Sequence, residues 1–162
     1  MDKKTVIITG ANKGLGYELS KQLGLYDWKV IMVGRREREL MAAAERICDV
    51  GGDAYPLVMD IGNDSSIEKG MIILDELTSH VDVLINNAAI LQDRGAQLLH
   101  VDMDMVQRMI DVNFFGALKV IRAVVHLMRE GGVQIQILTP ARLAFGEVNL
   151  SAHSHNCKMY LC

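Results

Sequence analysis

The chain has 162 residues, 50% of them apolar and 23% charged, with a formal net charge of −3. That length suits one domain with a sizeable core, and two prolines in so apolar a chain argue against disorder. The mildly acidic balance carries no footprint for nucleic acid or an anionic membrane. Three cysteines (Cys48, Cys157, Cys162) are too few for a disulfide scaffold. No stretch reads as a secretory signal or a membrane span, so the expected location is cytoplasmic.

Thr5 to Thr9 is a β-branched run that predicts a buried strand ending at Gly10. Leu15, Leu19 and Leu23 then fall at helical spacing. Lys29 to Val33 predicts a second strand, closed by Gly34. Leu40, Ala43, Ala44 and Ile47 mark one face of a second helix, which Gly51-Gly52 ends. A third strand is expected over Ala54 to Met59. Asn63 or Asp64 caps a third helix with Ile67, Met71 and Leu74 on its core face. Val81 to Ile85 predicts a fourth strand, closed by Asn86-Asn87. Asp102 caps a long helix running to about Glu130. Val133 to Leu138 is the fifth strand, and its alternating Gln134 and Gln136 suit an edge position. After Thr139-Pro140 the periodic signals fade, which predicts a domain over residues 1–139 and an irregular tail over 140–162. Alternation of this kind predicts an α/β fold: a doubly wound, Rossmann-like parallel sheet of about five strands with helices on both faces.

The turn after the first strand reads Thr9-Gly10-Ala11-Asn12-Lys13-Gly14-Leu15-Gly16. Glycines let backbone approach a pyrophosphate, and the helix that follows offers unpaired N–H groups and a positive dipole. Between a strand and a helix, this turn predicts a phosphate-binding loop. Gly34 ends the second strand, at the position where an acid would hold a ribose 2′-hydroxyl. Arg35-Arg36 follows, and a guanidinium fork suits a 2′-phosphate. Lys13 adds a second positive charge. NADP is therefore favoured over NAD.

The order Thr-Gly-x-x-x-Gly-x-Gly resembles the cofactor motif of the short-chain dehydrogenase/reductases. Three further motifs extend the resemblance: Asp60-Ile61 after the third strand, Asn86-Asn87-Ala88-Ala89 after the fourth, and Asn113 in Asp111-Val112-Asn113-Phe114-Phe115-Gly116. Ala89 stands where the family usually has glycine. The resemblance implies strand order 3-2-1-4-5 and hydride transfer between a nicotinamide cofactor and a small carbonyl or alcohol. It implies that Gly10, Asn12, Gly14 and Gly16, with Leu15 beside them, hold the pyrophosphate and adjoining ribose. Arg35 and Lys13 would take the 2′-phosphate, Asp60 and Ile61 the adenine, and Asn87 with Ala88 the region of the nicotinamide ribose.

Asn113 matches the family's helical asparagine, and Thr139 sits near its catalytic serine position. Its tyrosine, with a lysine four residues later, has no counterpart beyond the fifth strand; Lys158 precedes Tyr160, which is the wrong order. Tyr17-Glu18-Leu19-Ser20-Lys21 satisfies that spacing on the first helix, where it reads as ordinary helix residues. The chain is thus expected to lack the last family strands through a truncated or altered C-terminus, with apolar surface left on the long helix. Little turnover is expected. The alternative to a working reductase is an inactive dinucleotide-binding or regulatory partner that dimerises through helix 102–130. His153, His155, Cys157 and Cys162 are too compressed for a structural zinc site, and no metal is expected.

Overall fold

The computed structural model describes residues 3–91, 102–136 and 158–161, with 134–136 and 158–161 as backbone. Strands and helices alternate: β1 (Thr5–Thr9), α1 (Gly14–Leu25), β2 (Lys29–Gly34), α2 (Glu37–Cys48), β3 (Ala54–Val58), α3 (Asp64–Leu77) and β4 (Val81–Asn86). A helical stretch follows, made of α4 (Met103–Ile110), a π-helical segment (Asp111–Gly116), α5 (Ala117–Val124) and a 3-10 turn (Val125–Leu127). It leads into β5 (Met128–Gln136), and β6 (Lys158–Leu161) is the last strand. All pairings are parallel, in the order β3-β2-β1-β4-β5-β6.

Both sheet faces are buried, as parallel sheets require. Side chains of adjacent residues point to opposite faces, so Ile7, Ile31 and Val33 join the core beneath α3 and α5. Val6, Ile8, Val30 and Met32 join the core beneath α1 and α2. The predicted face of α2 is buried through Leu40, Ala43, Ala44 and Ile47. Asn63 caps α3, accepting from the Ser66 N–H at 2.9 Å, and Asp102 caps α4 by accepting from Asp104 N–H at 2.9 Å.

In α1 the fully buried row against the sheet is Gly16, Ser20 and Gly24, while Leu19 and Leu23 pack half-buried against the core. Small residues let this helix approach closely, while Leu15 stays half exposed. The long helix stops at Leu127 rather than near Glu130, because β5 already begins at Met128. Met128 pairs with Val81 and Val133 with Val83, so residues 129–132 form a bulge that takes up the extra length. Finally, β5 is not an edge strand. Lys158–Leu161, expected to be irregular, pairs along it from Val133 to Gln136, so an otherwise open row of backbone groups has a partner.

The long helix carries the exposed apolar stripe that was expected. Met103, Ile110, Phe114, Leu118 and Val125 are all 42% exposed or more. At the amino ends of the strands, the carboxylates of Asp27 and Asp53 hold the Lys3 ammonium at 2.8 Å and raise its pKa.

Candidate functional site

Strand order reverses between β1 and β4, whose chain neighbours lie on opposite sides of the sheet. In such folds this switch point opens a crevice at the carboxyl ends of the strands. A cleft of about 660 Å³ lies there. Its floor is the turn from β1 to α1, with Gly10, Asn12, Lys13, Gly14 and Leu15. One wall is the end of β2 and its turn, from Val33 to Arg36; the other is Met59 to Ile61 and Asn87 to Leu91, with Val112 from the π segment.

Ten of the eleven residues expected to hold cofactor line this cleft: all but Gly16. Gly16 lies just beneath. A Cβ there would stand 2.5 Å from both Asn87 Nδ2 and the Gly10 carbonyl oxygen, so only glycine fits. Gly10 and Gly14 adopt φ of +68° and +60°, the left-handed region that glycine enters without strain. Lys13 caps α1 without a side-chain hydrogen bond, and the first turn of α1 holds no acid. The helix therefore presents its first N–H groups and dipole to the cleft unopposed.

The turn is locked to β4. The Thr9 hydroxyl accepts the Asn87 and Ala88 N–H groups, both at 3.0 Å, and Asn87 Nδ2 donates to the Thr9 carbonyl at 2.9 Å. Thr9 is fully buried. Thr9 heads the glycine motif, yet nothing local gives its hydroxyl this task, since its partners lie 78 and 79 residues away.

Asn113 sits in the π segment and reaches across to Ile90. Its Oδ1 accepts from the Ile90 N–H at 2.8 Å and its Nδ2 donates to the Ile90 carbonyl at 2.9 Å. This two-point clamp fixes the wall of the cleft after β4. A π segment inside a helix commonly marks a functional site, and here it brings Val112 to the cleft while Asn113 grips its rim. Thr139 lies outside the described residues, as do His153, His155, Cys157 and Cys162.

Asp60 uses Oδ1 to accept the Gly62 N–H at 3.0 Å, and Oδ2 carries no hydrogen bond among the described residues. Arg36 is paired with Glu39 at 3.1 Å, whereas Arg35 and Lys13 have no ion-pair partner among the described residues. Tyr17, the decoy of the tyrosine–lysine spacing, packs against the core beneath α1 with the Arg46 guanidinium 5.2 Å from its ring centre. It does not line the cleft.

A glycine turn opening a helix at the switch point of a parallel sheet is the architecture shared by nucleotide-binding α/β folds. The chain belongs to the short-chain dehydrogenase family, whose model matches residues 4–141. Members of that family bind nicotinamide dinucleotides. A fatty acyl-CoA reductase of Mycobacterium tuberculosis is 34% identical over 130 residues, which is 80% of this chain and 44% of that protein. A metagenomic short-chain oxidoreductase solved with NADP is 24% identical with a TM-score of 0.75, over 85% of this chain and 63% of that one. The 3-oxoacyl-[acyl-carrier protein] reductase from Brucella melitensis, solved with NAD, is 19% identical with a TM-score of 0.76. That match covers 85% of this chain and 56% of the reductase. The chain spans about half the length of the curated relatives it matches, 44–59% across the first four. Among the described residues no helix is long and apolar enough to cross a membrane.

Proposed function

We propose that the cleft binds a nicotinamide dinucleotide, NADP in preference to NAD. The observation that carries this is the glycine turn, whose close approach to β4 leaves the first turn of α1 free to take a pyrophosphate. Gly10, Asn12, Gly14 and Gly16 form the cradle. Asp60 Oδ2 is available to an adenine amino group, with Ile61 beside it. Asn87 and Ala88 stand at the nicotinamide ribose. When bound, the cofactor supplies hydride exchange with a small carbonyl or alcohol. Asn113 is a positioning residue: it fixes the backbone of Ile90 on the wall nearest that chemistry.

The preference for NADP rests on Arg35 and Lys13, which line the cleft and spend their charge on no neighbour among the described residues. Arg35→Met is expected to weaken NADPH binding about 10-fold or more while changing NADH binding less than about three-fold. Fluorescence titration with each nucleotide checks this, and equal losses for both would assign Arg35 no part in reading the 2′-phosphate.

A second reading is binding without turnover, in partnership with another copy or a relative. Tyr17, which has a lysine four residues later, packs against the core and does not line the cleft. The apolar stripe of the long helix supports a second copy as the partner. Carbonyl-dependent oxidation of NADPH separates the two readings.

A further inference from the structure

A carboxylate stands where two of the cleft's hydrogen-bond donors meet. Glu39, in the first turn of α2, accepts from Arg36 through both oxygens, at 3.1 and 3.2 Å. It also accepts from Asn12 Nδ2 at 3.1 Å. Asn12 belongs to the turn after β1 and Arg36 to the turn after β2. One side chain therefore ties together the two loops that flank the cleft. Both donors line the cleft and Glu39 does not. The Arg36 and Glu39 side chains are 59% and 48% exposed, so this pair is weakly held and an incoming anion can displace it. A guanidinium and an amide N–H converging on one anionic group is also the donor set that a phosphate monoester takes.

We propose that Glu39 is a specificity-determining residue of the dinucleotide site. It is an internal anion that holds Arg36 and Asn12, and so limits how strongly the cleft prefers a 2′-phosphate to a 2′-hydroxyl. The inference rests on the reading of the cleft given above and deepens it. Arg35 and Lys13 supply the standing attraction for the 2′-phosphate, and Arg36 is a third cation held in reserve. A 2′-phosphate must displace the Glu39 carboxylate to reach Arg36, and then lies beside it as a like charge. A 2′-hydroxyl is neutral and meets neither cost. Glutamine at this position keeps the size and an acceptor oxygen while removing the charge, so its effect falls on 2′-phosphorylated ligands alone.

The test compares adenosine 2′,5′-bisphosphate with adenosine 5′-monophosphate by titration calorimetry, on the wild-type chain, Glu39→Gln and the double variant Arg36→Met/Glu39→Gln. Glu39→Gln is expected to bind the bisphosphate about 3–10-fold tighter and the monophosphate within about two-fold of wild type. The double variant is expected to lose that gain. Bisphosphate binding no tighter in Glu39→Gln, an equal gain for both ligands, or a gain that survives removal of Arg36 would each overturn the assignment. If the wild-type chain melts cooperatively yet binds neither probe, the dinucleotide reading itself falls and the role of Glu39 with it. If it binds both and Glu39→Gln changes neither, only the role of Glu39 falls.

Discussion

Gly16→Ala is expected to weaken NADPH binding by about 100-fold or more. The added Cβ would lie 2.5 Å from the Gly10 carbonyl oxygen and 2.5 Å from Asn87 Nδ2. Neither atom is the free end of a flexible side chain. Gly10 is backbone inside the turn, and Asn87 Nδ2 is held by the Thr9 and Gly10 carbonyls at 2.9 and 3.3 Å. Relief requires α1 to move away from β4, which opens the turn and misdirects the N–H groups of the proposed pyrophosphate site. Gly14→Ala is the informative contrast. Its Cβ meets nothing within 4 Å, but the backbone there has φ of +60°. Its cost is the left-handed strain of about 1–2 kcal/mol, without a clash. Melting and nucleotide titration of both variants should rank Gly16→Ala as the more damaging. The reverse order would show that close approach to β4 is not what the turn requires.

Thr9→Val should destabilise the chain by about 1.5–3 kcal/mol and lower the melting temperature by roughly 5 °C. Valine fills the same buried volume but takes away the acceptor for two backbone N–H groups. Asn87 N–H keeps the Ile85 carbonyl at 3.1 Å, while Ala88 N–H loses its acceptor at 3.0 Å. The Ala88 N–H is part-buried at the cleft, so losing its acceptor costs a share of its desolvation, added to the loss of the second hydrogen bond to Asn87. Thr9→Ser restores the hydroxyl and should recover most of the loss. Denaturant unfolding of the two variants measures the difference. A Thr9→Val chain within about 0.5 kcal/mol of wild type would mean that the lock between β1 and β4 contributes little.

The parts of this molecule legible in its sequence are those written locally. Apolar runs ended by Gly10 and Gly34 became β1 and β2, because a strand buried on both faces must be apolar throughout. The glycine turn was legible since its residue types answer to a backbone need that its own few residues express. Asn63 and Asp102 were readable as caps for the same reason. What escaped was set by packing at a distance. The buried row of α1 is Gly16, Ser20 and Gly24, because closeness to the sheet outweighed hydrophobicity. The π segment has no local signature, and the clamp it allows, Asn113 on Ile90, spans 23 residues. The start of β5 moved to Met128 because a bulge over residues 129–132 takes up the extra length, which no local pattern announces. Glu39 carried a signal that went unread: an acid three residues after Arg36 on a helix is within pairing distance.

The central claim is that this chain folds around an intact nicotinamide-dinucleotide cleft. The most direct test is the melting temperature of the purified chain, alone and with millimolar NADPH or NADH, since a ligand that binds only the folded state raises stability by mass action. One cooperative transition is expected, with a clear rise on adding NADPH and a smaller rise on adding NADH. A cooperative transition that neither nucleotide moves, or the absence of any cooperative transition, would contradict the claim.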